Sequence, residues 1–300
     1  MKPEVEILPR YVEPLFRPPS EAGSLIFQIT VGCSQNRCAF CGMYKGKQFQ
    51  IRPVGEVLAE IDAVPVLYRN RVERIFLADG DALIYPQDDL VTILSALETV
   101  FPRLARVASY ASPRSLAGKS ENELRLLRKR RLRILYFGLE SGDACTLAAV
   151  QKGYTPDEMA VLAVRAREAG MKLSVTAILG LAGKERSLDH ARSTAAWVNR
   201  VNPEYFSLLT LFNRHNDDFI RTLRQCTCRD LLAEAHELLT YLNPARTIFR
   251  SNHVSNFLNL AGSYPKDRQR LIDDVERAMD EIQRYPELRD RILHYSEEQY

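Results

Sequence analysis

The sequence lacks a long hydrophobic run. Although 46% of its 300 residues are hydrophobic, no stretch approaches the roughly 20 apolar residues of a membrane-spanning helix. It also lacks a large charge of either sign, because 41 Lys and Arg oppose 38 Asp and Glu and leave a net charge of +3. That balance argues against a dedicated nucleic-acid-binding protein, so we expect no nucleic-acid partner.

Cysteine is scarce, with six residues in the chain. The first ten residues, MKPEVEILPR, contain no basic segment followed by an apolar core, so we expect no secretory signal. A chain of this length can bury a large core without covalent cross-links. Together these features predict reduced thiols and a cytoplasmic location rather than disulfides.

Short apolar runs alternate with amphipathic segments along most of the chain. The runs carry no alternating polar face, which is typical of parallel strands covered by helices on both sides. We expect strands at 24–33, 74–79, 106–112, 133–140, 172–180 and 205–212. Each is followed by a predicted helix, and strict strand–helix alternation predicts right-handed crossovers. The helix predicted at 56–68 places Val64 on its apolar face. Ser120 and Glu123 predict a capping box, and Gly170 predicts a helix end. The fold class predicted is α/β, a partial (β/α)6 TIM-like barrel with parallel strands.

Three regions follow from this pattern. Residues 1–22 are rich in proline and predict an extended N-terminal arm. Residues 23–245 form the predicted barrel core. Residues 246–300 predict a C-terminal extension that packs on the barrel, with a strand at 246–251 and a charged helix over about 265–284.

Three cysteines, Cys33, Cys38 and Cys41, directly follow the first predicted strand. Such strand ends carry the chemistry in parallel α/β folds. Three unrelated buried cysteines are one interpretation, but the spacing is tight for it. A structural zinc site needs a fourth ligand, which would have to come from a distant cysteine or histidine. An iron–sulfur cluster held by three thiolates leaves one iron open for catalysis, and we favour it.

The segment CSQNRCAFC resembles the cluster loop of the radical S-adenosylmethionine (radical SAM) superfamily. Its CX4CX2C spacing has one residue more between the first two cysteines than the commonest pattern. The resemblance implies that Cys33, Cys38 and Cys41 are catalytic metal ligands of a 4Fe–4S cluster. It also implies that S-adenosylmethionine chelates the fourth iron and that Phe40 lies beside its adenine.

Further motifs follow later strands and extend the resemblance over residues 24–212. LADGDAL (77–83) stands where the family has a Gly-Gly-Glu-Pro-like turn, which implies that Asp79, Gly80 and Asp81 meet the amino group of the cofactor. An ordinary Asp-Gly turn is the alternative.

YFGLESGD (136–143) is similar to a motif of the branch that includes methylthiotransferase-like and anaerobic coproporphyrinogen-oxidase-like enzymes. The similarity implies that Glu140 and Ser141 contact the ribose or the amino-acid part of the cofactor. ILGLAG (178–183) is similar to the adenine motif of the family, and Gly180 and Gly183 allow close backbone approach to a flat ring.

The activity implied by the resemblance is reductive cleavage of S-adenosylmethionine to a 5′-deoxyadenosyl radical, which removes hydrogen from a small-molecule substrate. A low-potential electron donor such as flavodoxin or ferredoxin is then needed as a partner. The alternative is a cluster-bearing maturation or electron-transfer protein without turnover of its own.

Two polar stretches are candidates for substrate binding. FRSNHVSNFLNLAG (249–262) reads as a strand that leads into a polar loop and presents Arg250, Asn252 and His253, and His215 lies after the sixth strand. Loops that serve only structural hydrogen bonding are the alternative. Cys226 and Cys228 raise the possibility of a second cluster, but two thiols are too few, and we expect ordinary reduced cysteines.

Overall fold

The computed structural model describes residues 11–293, and ten strands lie in that range. They are β1 (Leu25–Gln28), β2 (Thr30–Val31), β3 (Gln50–Ile51), β4 (Arg74–Ala78), β5 (Arg106–Ala111), β6 (Leu132–Glu140), β7 (Lys172–Leu179), β8 (Tyr205–Thr210), β9 (Ile248–Ser251) and β10 (Leu260–Ser263). Eight of them form one sheet in the order β1-β4-β5-β6-β7-β8-β9-β10. The predicted α/β class and partial barrel are confirmed, since the sheet is mostly parallel and helices separate its strands.

The first predicted strand, 24–33, is interrupted after Gln28. β1 pairs in parallel with β4, whereas β2 turns away and pairs antiparallel with β3. Ile29, at the break, still makes two backbone hydrogen bonds: its amide donates to the carbonyl of Ala78, and its carbonyl accepts from the amide of Arg52. The chain therefore leaves the main sheet shortly before the first cysteine.

The C-terminal region adds more strand than the sequence predicts. The strand expected at 246–251 is β9, which lies parallel to β8, with Ser207 opposite Arg250. β10 was not predicted, and it pairs antiparallel with β9 at the edge of the sheet. Its sequence, LAGS, carries a glycine and alternates little, so it gives no clear strand pattern.

Twelve α-helices surround these strands in the described part of the chain. They are α1 (Val54–Ala63), α2 (Val66–Arg69), α3 (Gln87–Val100), α4 (Pro113–Ala117), α5 (Glu121–Lys129), α6 (Ala144–Ala149), α7 (Pro156–Glu168), α8 (Gly183–Val201), α9 (Asp217–Thr222), α10 (Cys228–Tyr241), α11 (Arg268–Ile282) and α12 (Pro286–Arg289). None of the helices described is long and apolar enough to cross a membrane.

Local sequence signals set several helix ends. Ser120 and Glu123 form the expected capping box at the start of α5, which satisfies two amide donors that the helix itself leaves free. Gly170 follows α7 with a φ of +88°, the left-handed conformation that glycine adopts at helix ends. The helix expected to run on through Val64 instead ends at Ala63, and α2 starts after Pro65.

The chain divides into two compact units. The first unit comprises the chain up to Asn36, Tyr44–Tyr136 and Arg165–Lys172. The second unit comprises Arg37–Met43, Phe137–Val164 and the chain from Leu173 onward. The division into arm, core and extension stays a prediction.

In the first unit, the segment before β1 lies against one face of the sheet. Leu15 packs on an apolar cluster that four strands supply, formed by Ile26, Phe76, Ala78, Ala108 and Ile134. Glu21 anchors the end of this segment, because its buried carboxylate accepts from Arg106 at 2.8 Å and from the Tyr136 hydroxyl at 2.6 Å.

In the second unit, α8 covers the sheet and α10 packs against α8. The Trp197 ring of α8 stacks on Phe137 of β6 with ring centroids 6.3 Å apart. Its indole N–H donates to the carbonyl of Pro156 at 2.8 Å. The single tryptophan thus connects α8 to its neighbours by both ring stacking and a hydrogen bond.

Substitution of Leu94 tests the packing of α3 in the first unit. Leu94 is fully buried, so Leu94→Ala leaves a cavity and is expected to lower the free energy of unfolding by about 2–5 kcal/mol. Urea unfolding of the chain without cofactors measures this change. The control is Thr92→Ala on the exposed side of α3, expected within about 0.5 kcal/mol of wild type. Equal effects of the two substitutions would contradict the packing.

Candidate cofactor site

The predicted site residues follow the carboxyl ends of strands in both units. In the first unit, Gly80 comes two residues after β4 and packs directly on the first cysteine. A Cβ atom at Gly80 would lie 2.9 Å from the Cβ of Cys33 and 2.6 Å from the Tyr44 ring. Such contacts are too short for any side chain larger than hydrogen, so the turn after β4 and the cluster loop require glycine here.

Asp79 is fully buried and fixes the backbone before the first cysteine. Its Oδ2 atom accepts from the amide of Gly32 at 3.0 Å and from Lys47 Nζ at 2.9 Å. Lys47 is nearly buried as well, and its ammonium also donates to the carbonyl of Pro14 at 2.7 Å. Oδ2 is therefore engaged inside the protein, whereas Oδ1 is buried and makes no hydrogen bond.

Asp81 has a similar internal role. One carboxylate oxygen accepts from the amide of Ser112 at 2.9 Å and the other from its hydroxyl at 2.7 Å. The Ser34 hydroxyl in the cluster loop donates to the same carboxylate. Asp81 thus connects the turn after β4, the end of β5 and the residue after Cys33.

In the second unit, loop residues 37–43 are held by backbone contacts. Ala39 donates to the carbonyl of Val150 at 2.9 Å. The side chain of Asn216, almost completely buried, donates to the carbonyl of Phe40 at 2.6 Å. Gly42 lies so close to the carbonyl of Arg214 that a Cβ atom would be 1.5 Å from its oxygen. These contacts fix the loop around Cys38 and Cys41.

Phe40 lies beside the end of β7. It packs against a cluster that includes Ile178, Leu181 and Phe219. The structure therefore brings together the aromatic residue between the last two cysteines and the glycine-containing turn of Gly180 and Gly183. Both glycines have a positive φ, +78° and +68°, a conformation that side chains disfavour.

The thiols of Cys38 and Cys41 have pKa values above the ordinary value of cysteine. Burial raises the pKa of Cys41 to about 11. Burial also raises the pKa of Cys38, and the nearby Lys152 ammonium opposes this shift. Bound metal ions stabilise a thiolate and deprotonate such a thiol outright. The donor set therefore suits a metal centre better than free thiolate chemistry.

Glu140 ends β6 in the left-handed conformation, with φ of +65°. Its carboxylate accepts from Lys152 Nζ at 2.9 Å, and both side chains are largely buried. Gly138 makes room for this pair, because a Cβ atom there would lie 2.1 Å from Glu140 Oε1. A non-glycine residue with positive φ stores backbone strain, which is common where a ligand is held.

Ser141 is fully buried and acts within the protein. Its hydroxyl contacts His190 Nδ1 at 2.8 Å and accepts from the amide of Asp143 at 2.9 Å. Gly180 donates its amide to the buried carboxylate of Glu234, at 3.1 Å from both oxygens. No pattern in the sequence marks His190 or Glu234, which look like ordinary residues of amphipathic helices.

The predicted substrate residues lie near the ends of β8 and β9. Asn252 is exposed directly after β9, and His253 follows it with its Nδ1 atom 2.8 Å from the Ser255 hydroxyl. The guanidinium of Arg250 donates to the carbonyl of Phe249 at 2.7 Å. His215 has a φ of +52° in the loop after β8. Their role in substrate binding stays a prediction.

Cys226 and Cys228 are buried thiols near the start of α10. A helix start favours a thiolate, but burial outweighs that effect and raises the pKa of both. Within residues 11–293, no three or more His, Cys, Asp or Glu side chains are arranged to hold a metal ion.

The residues present fit the 4Fe–4S cluster and S-adenosylmethionine that the sequence resemblance implies. Three cysteines share one irregular loop, and Gly80 leaves no side chain between the turn after β4 and Cys33. Glu140 and the two positive-φ glycines lie at neighbouring strand ends within the second unit. The assignment of each residue to a cofactor atom stays a prediction.

The Lys47–Asp79 pair gives a stability test. Lys47→Met leaves a buried carboxylate without its cation, and we expect a loss of about 3–5 kcal/mol in the free energy of unfolding. Adding Asp79→Asn should restore part of that loss, because no buried charge is left alone. The exposed pair Arg103–Glu73 supplies the control, and Arg103→Met should cost less than about 1 kcal/mol. An equally small loss for Lys47→Met would contradict the role of Asp79.

Gly138 gives a second test, because alanine there and alanine at Gly118 should change the stability in opposite directions. Gly138→Ala forces the Glu140 carboxylate to move and should destabilise the protein by about 1–3 kcal/mol. At Gly118 the nearest atom to an added Cβ is 3.6 Å away, so Gly118→Ala should stabilise it by about 0.4–1 kcal/mol. Thermal unfolding of both variants measures the difference. A stabilising Gly138→Ala would show that Glu140 does not occupy the space beside it.

Comparisons with known proteins identify the family. The family model of the Radical SAM superfamily matches residues 27–195, more than half of the chain. No curated protein matches the sequence.

Several solved structures share the fold. Coproporphyrinogen III oxidase (HemN) from Escherichia coli is 18% identical, with a TM-score of 0.55 over 72% of this chain and 52% of that chain. HydG, a maturase of the [FeFe]-hydrogenase, is 16% identical, with a TM-score of 0.51 over 83% of this chain and 54% of that chain. The cobalamin-dependent S-adenosylmethionine radical enzyme OxsB is 15% identical, with a TM-score of 0.51 over 86% and 36%.

The chain spans about half the length of the first two of these structures, and identities this low show the fold alone. The family match carries the assignment, and it implies a 4Fe–4S cluster and S-adenosylmethionine as cofactors. The chain belongs to the Radical SAM superfamily.

Proposed function

We propose that this protein is a radical SAM enzyme that generates a 5′-deoxyadenosyl radical and removes hydrogen from a small-molecule substrate. When bound, the cluster and S-adenosylmethionine supply the one-electron chemistry that breaks a carbon–sulfur bond. The observation that carries the proposal is the loop of three cysteines, with no fourth cysteine beside it, in a chain of this family.

The residues of the chain bind and orient the cofactors. Cys33, Cys38 and Cys41 hold the cluster, and Gly80 supplies close backbone contact beside Cys33. Phe40 packs at the turn of Gly180, which suits a flat ring held between an aromatic side chain and glycine backbone.

Glu140 and Lys152 form a charged pair in the second unit that suits the polar part of the cofactor. The carboxylate can accept from ribose hydroxyls or an ammonium group, and the lysine can donate to a carboxylate. Lys152 also offsets negative charge near Cys38 and Cys41, since its ammonium opposes the rise in pKa that burial causes at both thiols.

Substrate and reductant are identified only by class. Arg250 lies within β9, and Asn252, His253 and His215 follow strand ends in the second unit; these four side chains suit a polar or anionic small molecule. The electron is proposed to come from a low-potential donor such as flavodoxin or ferredoxin. The six free cysteines fit a reducing cytoplasm. Neither the family match nor the similar structures support the alternative of a cluster-bearing partner without turnover.

Cleavage of S-adenosylmethionine tests the proposal directly. The protein is purified without oxygen, reconstituted with iron and sulfide, reduced, and assayed for 5′-deoxyadenosine. We expect product from wild type and from Cys145→Ala, whose exposed cysteine lies outside the loop. Cys41→Ala should give none, because the cluster loses one of three thiolates.

Two results would contradict the proposal. One is zinc in place of iron in the anaerobically purified protein, which would favour a structural metal site. The other is full 5′-deoxyadenosine formation by Cys41→Ala. Labelled metabolite pools can then be searched for the substrate with the active protein.

A further inference from the structure

A buried chain of polar groups joins the turn after β6 to the turn after β7 in the second unit. It runs from Ser141 to His190 Nδ1 at 2.8 Å, from His190 Nε2 to Glu234 Oε1 at 3.5 Å, and from Glu234 to the amide of Gly180 at 3.1 Å. His190 lies on α8 and Glu234 on α10, and both side chains are fully buried. His190 Nε2 makes no hydrogen bond, although Glu234 faces it.

Neighbouring contacts tie the turn after β6 to α8. The amide of Gly142 donates to the Thr194 hydroxyl at 2.9 Å. A Cβ atom at Gly142 would lie 2.3 Å from the carbonyl of Ser193. The turn after β6 therefore sits directly on α8, one helical turn from His190.

Burial sets the charges of the pair. It raises the pKa of Glu234 to about 8 and lowers the pKa of His190 to about 4. Both groups are therefore neutral at pH 7, with one titratable proton on the carboxyl group.

The charged and polar groups that face the pair are already engaged. Asp143 faces His190 and pairs with Arg186 at 3.0 Å, and the carbonyl of Ile178 faces the imidazole. Asp230 faces Glu234 and pairs with Lys184 at 3.0 Å, and the Cys226 thiol also lies near the carboxyl group. None of these groups gives Glu234 a cation of its own.

One arrangement of the protons suits the whole chain. The protonated Glu234 carboxyl faces His190 Nε2 at 3.5 Å, and His190 Nδ1–H donates to the Ser141 hydroxyl oxygen at 2.8 Å. The amide of Gly180 donates to Glu234, and the amide of Asp143 donates to Ser141. Loss of the carboxyl proton would leave a buried anion and reverse the direction of the donors.

We propose that His190 and Glu234 are positioning residues that share one proton and couple the turn after β6 to the turn after β7. The inference rests on the proposed function, in which Glu140 and Gly180 at these turns contact S-adenosylmethionine. The coupling holds the two turns together, which lowers the conformational entropy lost when the cofactor binds.

Amide hydrogen exchange on the chain without cofactors tests the coupling. Local opening exposes Glu234 to water, where its pKa is near 4.5, and His190, where it is near 6.5. Between pH 6.5 and 8 the closed state therefore holds about half to two-thirds of a proton more than the open state, and protection falls as pH rises, by about fourfold per pH unit. We expect this fall at both ends of the chain, at the amides of Gly180 and Asp143.

Glu234→Gln removes the titratable proton and keeps the shape of the side chain. The amide group accepts from Gly180 and donates to His190 Nε2 at every pH, so the fall in protection between pH 6.5 and 8 should disappear. Glu237→Gln is the matched control, on the same helix in a pair with Arg192 of α8. Glu237→Gln should show the same pH dependence of protection as wild type. Comparing variant with wild type at each pH removes the intrinsic exchange rate of each amide.

The proposal is overturned if Glu234→Gln keeps the pH dependence of wild type, or if only the Gly180 amide responds. In the reconstituted protein, S-adenosylmethionine should protect both amides further. A normal exchange pattern without 5′-deoxyadenosine formation would overturn the proposed function and leave the coupling intact. Cleavage without added protection at these turns would overturn their role in binding.

Discussion

The cluster loop contains no helix or strand between Gly32 and Phe49, so contacts from outside the loop must fix its conformation. In the first unit, Asp79 holds Gly32 and is itself neutralised by Lys47. In the second unit, Asn216 holds Phe40. These ties are buried and polar, where an unmade hydrogen bond is costly. Each ligand segment is therefore positioned by the protein itself.

The same principle applies to the strand ends of the second unit. β6 ends at Glu140 with a strained backbone, and the turn beyond β7 opens with Gly180 in the left-handed conformation. Helices behind the sheet stabilise both turns through groups that never reach the surface. Protein interiors are close-packed, so a change at His190 or Glu234 reaches the turns directly. Helices α8 and α10 thus hold the backbone of both turns from behind the sheet.

Local patterns predicted much of this architecture. The alternation of apolar and amphipathic segments gave the sheet, and Ser120, Glu123 and Gly170 marked helix ends. The cysteine spacing indicated the cluster loop. Residues that act through distant partners could not be found this way, because periodicity reports only local structure. Asn216 contacts a carbonyl 176 residues earlier, and no pattern in its own segment shows that.

The central claim is that three thiolates leave one iron open to S-adenosylmethionine. Electron paramagnetic resonance of the reduced, reconstituted protein tests it most directly. The account predicts a [4Fe–4S]⁺ signal, at about four irons per chain, whose g values change when S-adenosylmethionine is added. A cluster signal that does not respond to S-adenosylmethionine, in protein that carries its full iron, would contradict the claim.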